Sequence, residues 1–458
     1  MQDKYIDLRQ KHPVFTYEKY EITDHDDRLS ITYYFKIEDY VTFTPTWEFK
    51  KKHEGVAYGN DFVVDRLAFN LGLVELISYW KCACPPLVQI KAGYIDEEQI
   101  KWWKSQYYLG LGEFFYTNKI ETGIDEFMRI EVMAEDSKTH TERVEFEKSG
   151  CLIPVGGGKD SNVTLELLSD RKEDNLCYMI NNKLTSKLCA QAAGYSEDEI
   201  LVAKRSLDKR LLELNQSGYL NGHTPFSAIV AFSSALTAYL YDKKYVVLSN
   251  EASANESTVA GTEVNHQYSK SFKFEQDFID YELKYINSGV HYFSLLRPFS
   301  EFQIAKFFAK QDKYHMIFRS CNVGSKKDEW CCDCSKCLFV YIILSPFIEL
   351  ERLAEMFGED MLNKESLIPI FDKLIGAVPE KPFECVGTCD EINTAISIVI
   401  EKMQREEKQL PKLYDYYKKS KIYTSYRDQS NNPYMNFYSN ENAIPSEFVD
   451  RIKTLMLK

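Results

Sequence analysis

The chain lacks any surplus of positive charge: 56 Lys+Arg stand against 69 Asp+Glu, a formal net charge of -13. A chain of that sign has no general field drawing it to nucleic acid or anionic lipid, and neither is expected as a partner. An anionic substrate would have to be met by a local basic pocket. An apolar run of the ~20 residues needed to span a membrane is also missing. The longest uncharged stretch, Thr224 to Tyr241, holds a proline and several Ser and Thr residues and reads as a buried helix. Cys337 to Leu350 is broken by Ser345-Pro346 and reads the same way. The opening Met1-Gln2-Asp3-Lys4-Tyr5-Ile6-Asp7 is charged and has no apolar h-region. The expectation is a cytoplasmic protein with reduced cysteines. Internal repeats and long low-complexity segments are absent too.

What is present is globular. At 44% hydrophobic and 27% charged residues, disorder over most of the length is excluded. The 458 residues suggest about three domains at roughly 150 residues each, or two large ones. Residues 1–147 open on alternating segments, Ser30-Ile31-Thr32-Tyr33-Tyr34-Phe35 and Tyr40-Val41-Thr42-Phe43. Helix-like stretches follow from Ala68 to Trp80 and from Glu97 to Phe115, so this region is α+β.

Over residues 148–345 the pattern is strand, turn, helix, repeated. Cys151-Leu152-Ile153-Pro154-Val155, Leu176 to Ile180, Ile200-Leu201-Val202-Ala203 and Tyr245-Val246-Val247-Leu248 read as buried strands. Helices at Ser161 to Leu168, at Lys183 to Ala193 and over the uncharged stretch separate them. This alternation predicts an α/β fold with a parallel sheet covered on both faces, its ligand beyond the carboxyl ends of the strands. Residues 346–458 read as charged and mainly helical, with a loop at Ser430-Asn431-Asn432-Pro433.

The most informative turn is Pro154-Val155-Gly156-Gly157-Gly158-Lys159-Asp160-Ser161, between a strand and a helix. Three glycines let the backbone bend tightly and approach a ligand, and the helix N-terminus favours phosphate. Neither common nucleotide fingerprint fits. Asp160 follows the Lys where a Walker A loop needs Ser or Thr, and no third Gly completes G-x-G-x-x-G. An Asp at this place would repel bare phosphate and suits a metal-bridged pyrophosphate, with Lys159 and Mg²⁺ assisting.

The run Cys331-Cys332-Asp333-Cys334-Ser335-Lys336-Cys337 forms C-x-x-C-x-x-C, with Cys321 ten residues upstream. Cys321, Cys331, Cys334 and Cys337 suit a closed structural Zn²⁺ site. Reduced structural cysteines or a redox pair are the alternatives, and Cys332 is a spare thiol. Cys82-x-Cys84 and Cys385-x3-Cys389 read as packing cysteines.

Beyond the fourth strand lies Ser249-Asn250-Glu251-Ala252-Ser253-Ala254-Asn255, then Asn265-His266-Gln267-Tyr268-Ser269-Lys270-Ser271. Asn265, Gln267, Arg297 and His223 (the last in Gly222-His223-Thr224-Pro225) are candidate substrate-binding residues. Lys270, Lys273, Arg297 and Arg319 could supply local positive charge. His266 titrates near neutrality and could move a proton, as could Lys270 or His223, and the residues do not choose among them.

The turn resembles the pyrophosphate loop, S-G-G-x-D-S, of the ATP pyrophosphatase superfamily (PP-loop, HUP-like fold). Gly156, Gly157, Lys159, Asp160 and Ser161 carry the pattern, Gly158 sits in its variable region, and Val155 replaces the usual Ser. The cysteine arrangement is similar to that of 7-cyano-7-deazaguanine synthases, relatives in the same superfamily. Together the turn, Gly222-His223-Thr224-Pro225, Asn265 to Lys270 and the knuckle resemble the MurL-type UDP-N-acetylmuramoyl-L-alanyl-L-glutamate epimerases over most of the chain. The resemblance implies ATP and Mg²⁺, an acyl-adenylate, a UDP-sugar dipeptide substrate, and Asp160, Lys159, His266 and Lys270 in catalysis. Another adenylating PP-loop enzyme and a non-catalytic ATP-binding sensor are the competing readings.

Overall fold

The computed structural model describes residues 2–135, 147–255, 265–428 and 432–457. Of the expected loop Ser430 to Pro433, the first two residues lie outside that set. The fold is α/β, built on one eleven-stranded sheet. In chain order the strands are β1 (Val14–Asp24), β2 (Arg28–Ile37), β3 (Val41–Phe43), β4 (Thr46–Lys50), β5 (Leu87–Ile90) and β6 (Arg129–Val132), then β7 (Ser149–Pro154), β8 (Leu176–Ile180), β9 (Ile200–Ser206), β10 (Lys243–Leu248) and β11 (His291–Ser294). Their spatial order is β11-β10-β7-β8-β9-β4-β2-β1-β5-β6, with β3 on β2.

The five strands from β11 to β9 are mutually parallel, as the alternation of strands and helices predicts. Four of them match the buried runs of the sequence, and β11 is an edge strand the pattern does not single out. Antiparallel pairing of β4 with β9 joins the N-terminal strands to the same sheet. In β2, Leu29, Ile31, Tyr33, Phe35 and Ile37 are buried while their neighbours are part-exposed, the period of two expected of a half-covered strand.

Alternate residues of the parallel strands feed two separate cores. Leu152, Tyr178 and Val246 face the N-terminal region and the helix Phe226–Leu240. Ile153, Cys177 and Val247 face the cysteine knuckle and the C-terminal helices. The helix Phe62–Trp80 starts six residues before its predicted onset, because the Asp61 carboxylate caps the amides of Val63 and Val64. From that helix, buried Glu75 pairs with Arg205 of β9 at 2.6 Å. No helix among the described residues is long and apolar enough to cross a membrane.

From β7 the chain runs outward through β8 and β9, then returns to place β10 and β11 on the other side of β7. The crevice beyond the carboxyl ends of β7 and β10 is therefore the topological switch point, where open α/β sheets bind ligands. The glycine turn follows β7, and Glu251 follows β10.

Candidate active site

The turn after β7 is shaped by its glycines. Gly157 has φ +82°, and a Cβ there would come 2.8 Å from Thr185 Cγ2 and 3.1 Å from the Ser186 amide nitrogen. A Cβ on Gly156, by contrast, would meet nothing within 4 Å, so that residue opens on free space. The Gly157 carbonyl accepts the Arg319 amide at 2.9 Å, which pins the bend from behind. Among the described residues, the amides from Gly156 to Ser161 have no protein acceptor. They end at the N-terminus of the helix Lys159–Leu167. Donors grouped at a helix N-terminus form an anion-binding concavity.

Next to these amides lies a carboxylate cluster. The buried Lys159 ammonium contacts both Asp160 and Glu301. Oxygens of Asp160, Glu251 and Glu301 lie within 4.8 Å of one another. Glu301 opens the helix Glu301–Phe308, which Ser300 and Gln303 cap reciprocally. Burial, with Asp160 and Glu251 nearby, pushes the Glu301 carboxyl up to about 8 against the pull of Lys159. Burial also acts to raise Asp160, but the Lys159 and Lys336 ammoniums outweigh it and hold that carboxyl below its usual range. Three hard oxygen donors in that span fit a small divalent cation that would keep waters and bind substrate phosphates.

A second cluster joins one carboxylate of the N-terminal region, Glu113, to two later histidines. Glu113 Oε2 accepts from His266 Nδ1 at 2.5 Å and lies 2.9 Å from His223 Nδ1. Burial opposes its charge, but the two imidazoles draw the Glu113 carboxyl down to about 2. Burial likewise opposes the imidazolium of His266, yet Cys385 and Glu113 raise that ring to about 9. The His223 loop is held by Lys81, whose ammonium bonds the Gly222 and His223 carbonyls and the Thr224 hydroxyl. Lys270 Nζ lies 3.0 Å from Cys385 Sγ.

The family model of the MurL N-terminal domain matches residues 7–295, and that of the MurL C-terminal domain matches residues 317–422. The chain belongs to the MurL family. A relative from Xanthomonas oryzae pv. oryzae, named UDP-N-acetyl-alpha-D-muramoyl-L-alanyl-L-glutamate epimerase, is 36% identical over 348 residues, covering 74% of this chain and 75% of its own. Relatives of the same name from Micromonospora sp. and Salinispora tropica are each 34% identical over 340 residues. They cover 73% and 72% of this chain, and 74% and 72% of their own lengths. No solved structure matches.

In this MurL-family chain the structure brings Gly156 to Ser161 together with Lys159 and Asp160, and His266 with His223. Other expected residues have structural tasks. Arg297 is buried on Glu275 at 2.9 Å and on the carbonyls of Glu251 and Lys270, so it braces the loop rather than facing substrate. Asn265 holds its own turn, donating to the Ala254 carbonyl at 3.0 Å and accepting the Gln267 amide at 2.7 Å. Gln267 is buried, and its Oε1 has no partner among the described residues. Sequence reasoning missed Glu113, Glu251 and Glu301 as site residues. Only Glu251 carried a signal, its place in the polar stretch after β10. Cys385 is not the packing cysteine expected of it: it is half-buried against Lys270.

In the knuckle, Cys321 and Cys334 sulfurs are 3.9 Å apart, Cys331 and Cys337 3.8 Å, and Cys334 and Cys337 3.5 Å. Four thiolates about 2.3 Å from one tetrahedral centre stand about 3.8 Å from each other. The spare thiol is turned away, donating to the Phe357 carbonyl at 3.4 Å from a residue with φ 53°. Amides of Gly324 and Cys337 donate to Cys321 and Cys334 sulfurs at 3.1 and 3.5 Å, bonds that favour thiolate.

Proposed function

We propose that this MurL-family epimerase inverts the terminal L-glutamate of UDP-N-acetylmuramoyl-L-alanyl-L-glutamate to D-glutamate, with ATP activating the glutamate carboxylate and AMP and pyrophosphate released. The substrate is the one in the relatives' names. The ATP route rests on one observation: amides at the switch point with no protein acceptor among the described residues, beside Lys159 and three clustered carboxylates. Gly156 to Ser161 would receive pyrophosphate oxygens. Asp160, Glu251 and Glu301 would hold Mg²⁺, which supplies charge neutralisation for the phosphates. Cys321, Cys331, Cys334 and Cys337 would hold a structural Zn²⁺. The cytoplasm, where ATP is available, is the compartment this reading requires.

Activation has a physical reason. Removing a Cα proton beside a carboxylate places a second negative charge next to the first. An acyl-adenylate removes that charge and offers a carbonyl to take up the electron pair. Each pKa unit gained at Cα lowers the cost of proton transfer by about 1.36 kcal/mol. His266 on Glu113, Lys270 and His223 would be the groups that move protons.

The test is incubation with ATP, Mg²⁺ and the UDP-sugar dipeptide, followed by assay of AMP and of glutamate chirality. AMP formed in step with D-glutamate is expected. AMP without inversion would indicate a ligase instead, and inversion without AMP would remove the ATP route.

A further inference from the structure

Cys385 sits where neither packing nor metal binding accounts for it. Its Sγ lies 3.0 Å from Lys270 Nζ, and the Lys336 ammonium bonds the carbonyl of the same residue. The thiol also interacts with His266, whose Nδ1 is held by Glu113. The adjacent Glu384 carboxylate is engaged by the Lys336 amide at 2.6 Å. Around the sulfur, then, stand three cations, Lys270, His266 and Lys336, with Glu113 on the imidazole and Glu384 next in the chain. Burial works against a thiolate, but Lys270, His266 and Lys336 more than offset it and bring the thiol from its ordinary 9.0 down to about 5.

Two residues further on, a Cβ on Gly387 would come 3.3 Å from Glu301 Cγ. The segment from Cys385 to Gly387 thus runs against the carboxylate cluster at the glycine turn, close to it without joining it. Lys270 is sensed electrostatically by Asp160 as well as by Cys385, so one ammonium links the two clusters. In the same turn as Lys270, whose amide donates to the Gln267 carbonyl at 2.7 Å, the buried Gln267 Oε1 has no hydrogen-bond partner among the described residues.

We propose that Cys385 is a catalytic residue of the epimerisation, its sulfur exchanging the glutamate Cα proton on one face while Lys270 and His266 hold it as thiolate. This rests on the reading that the carboxylate is first activated. The Cα–H bond breaks, an S–H bond forms, and the electron pair moves into the activated carbonyl. A second acid returns a proton to the opposite face of Cα. Water then reprotonates that acid, accepts the thiol proton and hydrolyses the acyl-adenylate to free glutamate carboxylate and AMP, so no oxidant or reductant is consumed.

The test uses the full chain carrying Cys385→Ala or Cys385→Ser, with ATP, Mg²⁺ and the UDP-sugar dipeptide in D2O. AMP formation, Cα deuteration and D-glutamate are read separately. Expected is AMP formation within about threefold of the unmodified enzyme, and deuteration and inversion lower by about 10²–10⁴-fold. Inversion at the normal rate in Cys385→Ala overturns the proposal. So does parallel loss of AMP and inversion in both variants, which would place the thiol in activation. If the unmodified enzyme inverts without AMP, the activation reading fails and deuteration in the variants still decides the role of Cys385. Should neither variant fold, the unmodified enzyme is treated with iodoacetamide at neutral pH and its cysteines mapped by mass spectrometry. Loss of inversion in step with carboxamidomethylation of Cys385 is expected, and inversion that survives complete modification of that residue overturns the assignment.

Discussion

Asp160 and Glu301 share one buried cation, Lys159, and the sharing makes them unequal. Asp160 is held ionised, while Glu301, more deeply buried, is pushed up to about 8. The ionised partner is the better metal ligand at neutral pH. Asp160→Asn is therefore expected to lower AMP formation by at least about a hundredfold, since charge stabilisation by a bound cation is worth several kcal/mol. A pyrophosphate-release assay at saturating Mg²⁺ checks it, and release at the normal rate would contradict the metal role. Glu113 makes a second residue-scale case. Its folded pKa of about 2 lies below its ordinary 4.5, so its stabilising contribution is complete above 4.5 and is lost as pH falls through about 2. Urea unfolding from pH 6 to pH 2 should show an acid limb that Glu113→Gln flattens. On the alkaline side two groups oppose each other. His266, raised to about 9, loses its contribution as pH rises, whereas Cys385, lowered to about 5, gains over the same range.

At the scale of elements, two short turns gather candidate ligand-binding groups. The bend at Gly157 needs a glycine twice over, for its positive φ and for the 2.8 Å approach to Thr185. The cysteine knuckle is the other, its Cys334 capping the helix Ser335–Leu344 and its Cys337 lying inside that helix. Holding four sulfurs together without a cation would set like partial charges against one another, so metal should be integral to this element. Elemental analysis is expected to find one Zn²⁺ per chain, retained in Cys332→Ser and lost, with a lower melting temperature, in Cys334→Ser. Equal metal content in the two variants would contradict the ligand set. The spacing of the cysteines pointed to these four with Cys332 as the spare, and in the fold the Cys332 thiol turns away to the Phe357 carbonyl.

For the molecule as a whole, the decisive feature is that the N-terminal strands continue the parallel sheet. Arg205 on β9 and Glu75 on the helix Phe62–Trp80 fasten the two parts with side chains that are buried or nearly so. Removing one partner leaves the other charge uncompensated. Arg205→Ala is expected to cost about 3–5 kcal/mol in urea unfolding, and a change below 1 kcal/mol would show that the pair does not fasten them. Through the same continuity the N-terminal region delivers Glu113 to two histidines that lie more than a hundred residues later in the chain.

Local signals in the chain were enough for four of the five parallel strands, the glycine turn and the four-sulfur set. Burial runs, positive-φ bends and ligand spacing are all properties of contiguous residues. The tertiary structure alone decided the partners. Glu301 reached Lys159, Glu113 reached His266, and Cys385 reached Lys270 because the sheet order and two separate cores bring distant segments to one crevice. An isolated Glu or Cys in the sequence has no feature that says which cation it will meet. That depends on burial and on neighbours the chain acquires only when folded.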